Sequence, residues 1–192
     1  VFNRAFTPYG GTHLAVPALW TGTLLPHGPL PTPFAPLNPL ERLLETEGYR
    51  KLLAPDVVTM ALTKSPPSWE PFDAEHSILR QACPALQDLG RRLGPKRREE
   101  PPVFAFAHVY DLHTAHVKRE NFKAPPISTP EGQLDEYRRA VSAADACIGP
   151  FISQLKRLGR WERSVVVVTA DHGASLGAAG RWGHGYARGP CR

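Results

Sequence analysis

Two histidine-rich stretches and one threonine are the residues of this chain best equipped for chemistry. Asp171 and His172 stand side by side, just after the run Val165-Val166-Val167-Val168 and the pair Thr169-Ala170. Four consecutive valines read as a short, fully buried strand of a parallel sheet. A carboxylate and an imidazole at a strand's carboxyl end sit where open α/β sheets hold their ligands. Together they form a donor pair for a divalent cation, zinc or manganese in preference to calcium. Gly173 lets the backbone turn sharply beneath them. His184, beyond a loop rich in Gly and Ala, is expected to fold back over the same point. The competing reading is plainer: a strand-end Asp can simply cap the next turn.

The second stretch overlaps the end of another apolar run, Val103 to Val109, and holds His108, Asp111, His113 and His116. Without cysteine, and with a spacing that fits no common finger, this is not a closed structural zinc site. The third feature is Thr12, ahead of the apolar residues Leu14 to Trp20. Base rates favour a threonine there as a helix N-cap. The alternative is a nucleophile at a helix N-terminus, where backbone N–H groups and the dipole favour a bound anion.

Several elements must position these groups. The pattern predicts a helix from about Thr12 to Gly22, starting a few residues later if Pro17 is to lie in its first turn. A helix is expected over 38–47 with Pro39 at its first position, ended by Gly48, and a short strand over 49–54. A further helix spans 78–93, interrupted near Pro84. The longest helical pattern is 134–158, with Tyr137, Val141, Ala144, Ile148, Ile152 and Leu155 on one stripe, Asp145 near it, and a kink at Gly149-Pro150. Strands alternating with helices imply an α/β fold with a mostly parallel sheet flanked by helices on both faces.

The 192 residues suffice for one domain with a real core. Twenty-one prolines fall mainly in connections, and the net charge of +5 suits an anionic substrate or surface. Because the basic residues are scattered, a nucleic-acid partner is not expected. The cysteines Cys83, Cys147 and Cys191 show no metal-type spacing and say little about compartment.

The motifs together resemble a known family. The valine run followed by T-A-D-H-G-A-S-L-G, then G-H-G, resembles the late metal-binding motif of the alkaline phosphatase superfamily, in particular its sulfatase-like branch with the phosphoethanolamine transferases. In sulfatases the nucleophile stands ten residues before a T-G pair, and counting back from Gly22 lands on Thr12. The surrounding F-T-P-Y-G-G-T-H-L-A-V-P-A-L-W-T-G resembles that region throughout. Thr12 replaces the cysteine that sulfatases convert to formylglycine, which resembles the threonine-nucleophile transferases instead. The segment from His108 is similar to H-x-x-D-x-H-x-P-Y, with Ala115-His116 in place of Pro-Tyr, and Asp145 matches a family aspartate read as structural.

The resemblance implies an alkaline phosphatase-like three-layer sandwich, present over 1–192 as a partial catalytic domain without its first strand or its C-terminal strands. It implies a metal-dependent hydrolase or transferase of phosphate or sulfate esters that works through a covalent intermediate on Thr12. Thr12, Asp171 and His172 would hold the divalent metal ion; His113, His184 and His108 would bind the anionic group, and His184 would also protonate the leaving oxygen. The substrate is an anionic ester, lipid- or glycan-linked, and membrane association through segments outside this chain goes with an extracytoplasmic location. A further carboxylate ligand is expected upstream of Thr12, where Val1 to Gly11 has no Asp or Glu. The alternatives are a sulfuric ester hydrolase and a catalytically inactive relative.

Overall fold

A computed structural model describes residues 5–24, 39–54, 81–113, 130–176 and 182–183. Its centre is a pair of parallel strands, β1 (Arg50–Ala54) and β2 (Val103–Ala107), aligned from Arg50 opposite Val103 to Ala54 opposite Ala107. Side chains alternate across a strand. Leu53, Phe104 and Phe106 therefore meet α1 (Thr12–Thr21) and α2 (Pro39–Thr46) on one face, in a core with Val16, Trp20, Leu40 and Leu44. Trp20 and Phe106 meet edge to face at 5.4 Å, the arrangement their ring quadrupoles favour. Lys51 shares this face. Buried with Glu41, it lies 3.8 Å from that carboxylate and 3.3 Å from Glu45.

The other face carries α3 (Ala82–Leu93), and α4 (Pro130–Arg157) packs behind it. The fold is thus α/β, a parallel sheet with helices on both sides, as expected. Pro84 lies in the first turn of α3, where its missing N–H costs nothing. At the same end, Asp111 accepts the Ala82 N–H at 2.6 Å and so caps α3 from a distant segment. Close approach of α3 to α4 uses Gly90, where a Cβ would lie 2.1 Å from the Gln154 side chain. A disulfide joins the two helices, Cys83 to Cys147, with Cα atoms 4.9 Å apart.

The turn after α4 is held by one side chain. Gly159, at φ 67°, ends the helix, and the buried Arg160 then fills its donors. It bonds the Gly94 carbonyl at 2.7 Å, the Leu93 carbonyl at 2.6 Å and both Glu100 oxygens at 2.8 and 3.0 Å. The Glu100 carboxyl is held down to about 2 by the hydrogen bond from Arg160 first and that from Lys96 second.

Three expectations are corrected. First, Val165 to Val168 do not form a buried strand: they are 93%, 40%, 77% and 67% exposed and join no strand among the described residues. An apolar run is buried only where other strands and helices flank it, and β1 and β2 pair with each other instead. Second, α1 begins at Thr12 with Pro17 inside it. Burial of Leu14, Ala15, Val16, Ala18 and Trp20 outweighs the one helical hydrogen bond that Pro17 forfeits. Third, Asp145 and Val141 are exposed on α4 rather than on its packed side; α4 turns Cys147 and Leu155 inward. Among the described residues no helix is long and apolar enough to cross a membrane.

Candidate functional site

The site forms where β2 ends. His108 follows Ala107 directly, and its N–H bonds the Ala54 carbonyl at 3.3 Å, so the ladder extends one step and fixes where the imidazole leaves the sheet. Thr12 comes from the first turn of α1. Its entry is set by a Thr7 hydroxyl that bonds the Tyr9 carbonyl at 3.1 Å and by Tyr9, which packs on Leu14, Ala15 and Ala18. Gly11, in extended conformation, takes the N-cap position, and its carbonyl accepts the Leu14 and Ala15 N–H groups. A Cβ on Gly11 would press the His13 ring at 3.0 Å.

With glycine as the cap, Thr12 makes no capping bond. Its Oγ1 instead meets His172 Nε2 at 3.1 Å, across 160 residues of sequence. The other His172 nitrogen, Nδ1, lies 2.9 Å from the Gly173 carbonyl. A carbonyl oxygen only accepts, so Nδ1 carries the proton and Nε2 presents its lone pair. That lone pair is positioned to accept the Thr12 hydroxyl proton or to bind a cation.

Asp171 completes the group. Its Oδ1 accepts the His172 N–H at 3.0 Å, which holds the carboxylate against its neighbour. Its Oδ2 is buried and has no hydrogen bond, while lying 3.5 Å from His172 Nε2 and 3.7 Å from His108 Nε2. Buried carboxylate oxygens without a donor are rare, because desolvation is then uncompensated. Oδ2, His172 Nε2 and Thr12 Oγ1 therefore fit a cation as a partial donor set of oxygen and imidazole, the kind that suits zinc or manganese. Among the described residues, no three His, Cys, Asp or Glu side chains are grouped to hold a metal ion. A full coordination shell would need a donor beyond Asp171 and His172.

His113 stands further out. Its ring meets Tyr110 edge to face at 5.1 Å, and Tyr110 meets His108 at a tilt at 5.3 Å, so a row of three rings in contact runs from His113 toward Asp171. Past Gly173, β3 (Ser175–Leu176) pairs antiparallel with β4 (Trp182–Gly183), Ser175 opposite Gly183. His184 and His116 themselves lie outside the described residues. Sequence reasoning missed how close His108 lies to Asp171. The available signal was His108's place at the end of the apolar run, at the same sheet edge proposed for Asp171.

The family description Sulfatase matches residues 84–190, more than half of the chain. That span contains His108, His113, Asp171, His172 and His184 but not Thr12, which is tied to it by the 3.1 Å contact with His172. The chain is also 27% identical over 92 residues to the multifunctional alkaline phosphatase superfamily protein PehA of Trinickia caryophylli. The alignment covers 43% of this chain and 18% of that protein's length. No solved structure matches.

Proposed function

Because the chain belongs to the sulfatase family, we propose that it is the nucleophile-bearing part of a metal-dependent hydrolase or transferase of phosphate esters, with Thr12 as the nucleophile. The observation that carries this reading is the Thr12 Oγ1 to His172 Nε2 distance of 3.1 Å beside the half-buried Asp171 carboxylate, whose Oδ2 is buried.

A threonine hydroxyl is a weak nucleophile until a neighbour takes its proton. His172 is fixed in the tautomer that can do so, and Asp171 holds the backbone of His172 in place. Thr12 Oγ1 then forms a bond to phosphorus as the ester's P–O bond breaks and the alcohol leaves with its electron pair. A proton from His184 neutralises that oxygen. Water or a second alcohol attacks the phospho-threonine, releasing the product and restoring the hydroxyl. The first-turn N–H groups of α1 lie beside Thr12, and such groups favour developing negative charge. His113 and His184 would bind the non-bridging oxygens.

Members of this superfamily generally use divalent cations. Asp171 Oδ2, His172 Nε2 and Thr12 Oγ1 would hold such an ion, which would supply Lewis-acid stabilisation and lower the hydroxyl's pKa. With that ion held, the Nε2 lone pair would be a ligand and the Thr12 proton would pass to solvent from a hydroxyl of lowered pKa, so His172 accepts that proton only where the ion is not held.

Sulfate esters are the second reading, carried by the family match itself. The Cys83–Cys147 disulfide supports an oxidising, extracytoplasmic compartment, since such bonds seldom persist in a reducing cytosol. The substrate would be an anionic ester, lipid- or glycan-linked.

The experiment is metal analysis of the protein together with hydrolysis of nitrophenyl phosphate mono- and diesters and of nitrophenyl sulfate, for wild type and Thr12→Ala. Bound zinc or manganese with phosphoester turnover lowered about 10⁴-fold or more by the substitution is expected. A phosphorylated Thr12 peptide after substrate trapping would identify the intermediate. Metal bound and turnover unchanged would remove Thr12 from the nucleophile's role. Preferential sulfate-ester turnover would favour the second reading.

A further inference from the structure

A cavity of about 540 Å³ opens at the other end of the sheet, where β1 and β2 begin. Among its lining residues, Arg50 starts β1, Arg91 and Arg92 close α3, Arg97 follows in the loop, and Glu99 and Glu100 precede β2. With β1 rising about 3.3 Å per residue, Arg50 lies roughly 13 Å from Ala54, beyond which the Thr12 site forms. The two sites therefore occupy opposite poles of the sheet.

The groups that would oppose an anion here are largely engaged already. Arg160 binds both Glu100 oxygens and the carbonyls of Leu93 and Gly94, and Lys96 also pairs with Glu100 at 2.8 Å. Asp88, outside the lining, pairs with Arg91 and with Arg92, the latter at 3.5 Å. Arg92 donates from Nη1 to the Leu53 carbonyl and Arg50 from Nη2 to the Arg92 carbonyl, each at 3.2 Å, so each guanidinium group is held in place by one of its nitrogens. Arg97 makes no ion pair among the described residues. The lining thus brings together four guanidinium groups, two of them paired with Asp88, and two carboxylates, of which Glu100 is already paired with Arg160 and Lys96. Its volume falls in the ordinary range of small-molecule sites, about 300–1,000 Å³.

Guanidinium groups bind oxyanions through paired N–H donors. We propose that this cavity is a second, non-catalytic anion site that takes a small, multiply charged phosphate or sulfate oxyanion, with Arg50 and Arg92 as its fixed wall and the exposed Arg91 and Arg97 at its rim. Occupancy ties the end of α3 to the start of both strands and stabilises the sheet that carries His108.

The test is calorimetric titration of the protein with inorganic tripolyphosphate and, separately, inorganic sulfate, at physiological salt, on wild type, Arg97→Glu, Arg91→Glu and His172→Ala. The arginines chosen are exposed, so their replacement leaves the fold intact, which a melting curve checks. Saturable binding that survives His172→Ala and weakens about tenfold or more in each arginine variant is the expected result. Tighter binding of tripolyphosphate than of sulfate assigns the site to phosphorylated ligands, and the reverse order to sulfated ones. Binding that is lost with His172→Ala and untouched by the arginine variants would place the anion at the Thr12 site and overturn the proposal. So would the absence of saturable binding by either anion.

Discussion

Replacing Cys83 and Cys147 together with serine removes a covalent tie that closes 64 residues of chain between α3 and α4. The denatured ensemble then regains the freedom that the closed loop denied it. For a loop of that length the chain-entropy relation gives about 4 kcal/mol at room temperature. At roughly 2–4 °C per kcal/mol for a domain of this size, the melting temperature should fall by roughly 8–16 °C. Circular dichroism melts of wild type with and without reductant, beside the double variant, measure it directly. Alkylation without reduction, followed by peptide mass mapping, should leave residues 83 and 147 unlabelled. The loss should appear as stability alone, because α3 and α4 lie behind the sheet from Thr12 and ester turnover well below the transition should persist. Full labelling of both cysteines would refute the pairing. A drop of less than about 1 kcal/mol would mean that Leu89, Gly90 and Gln154 hold the two helices together without the bridge.

Two more outcomes follow from single side chains. Glu100 titrates at about 2 when folded against 4.5 ordinarily, so between those values the unfolded chain binds more protons. Its contribution to stability is therefore complete above about pH 5 and is lost as pH falls toward 2. Acid-melting profiles of wild type and Glu100→Gln should converge over that window and separate above it; parallel curves would show that Arg160 does not hold the carboxylate. Asp111 caps α3 through the Ala82 N–H, so Asp111→Ala should cost about 1 kcal/mol in denaturant melts and leave the metal content unchanged. Loss of metal in that variant would make Asp111 a ligand instead.

What the sequence made legible was local. Gly22, Gly48 and Gly159 all adopt positive φ where helices were expected to end, because only the residue at the stop must accept a left-handed backbone. The strands β1 and β2 and the helix that Pro39 opens lie within a residue or two of expectation. Features set by distant partners were not legible. Four valines announce a strand, yet their burial depends on neighbours that no local pattern names. The pairing of Cys83 with Cys147 depends on how α3 meets α4, and nothing in their spacing encodes it. Thr12 shows the difference within one turn of helix. Threonine is the better capping residue by side-chain chemistry, but the extended Gly11 before it takes that position, and the hydroxyl is left for a partner 160 residues away.

That contact depends on how α1 is fixed, since its two partners belong to different parts of the chain. At one end α1 is anchored by Tyr9 against Leu14, Ala15 and Ala18. At the other, Trp20 wedges edge-on against Phe106, and Val16 between them joins Leu44 and Leu53. Phe106 lies two residues before His108, so the aromatic pair that fixes α1 also fixes the strand end beside Asp171. A helix held to the same strand that presents His108 cannot slide without dragging its own reference point. The separation of hydroxyl, imidazole and carboxylate is therefore a property of the core, and small changes at Trp20 or Phe106 should reach Thr12 before any substitution on the solvent side of α1 does.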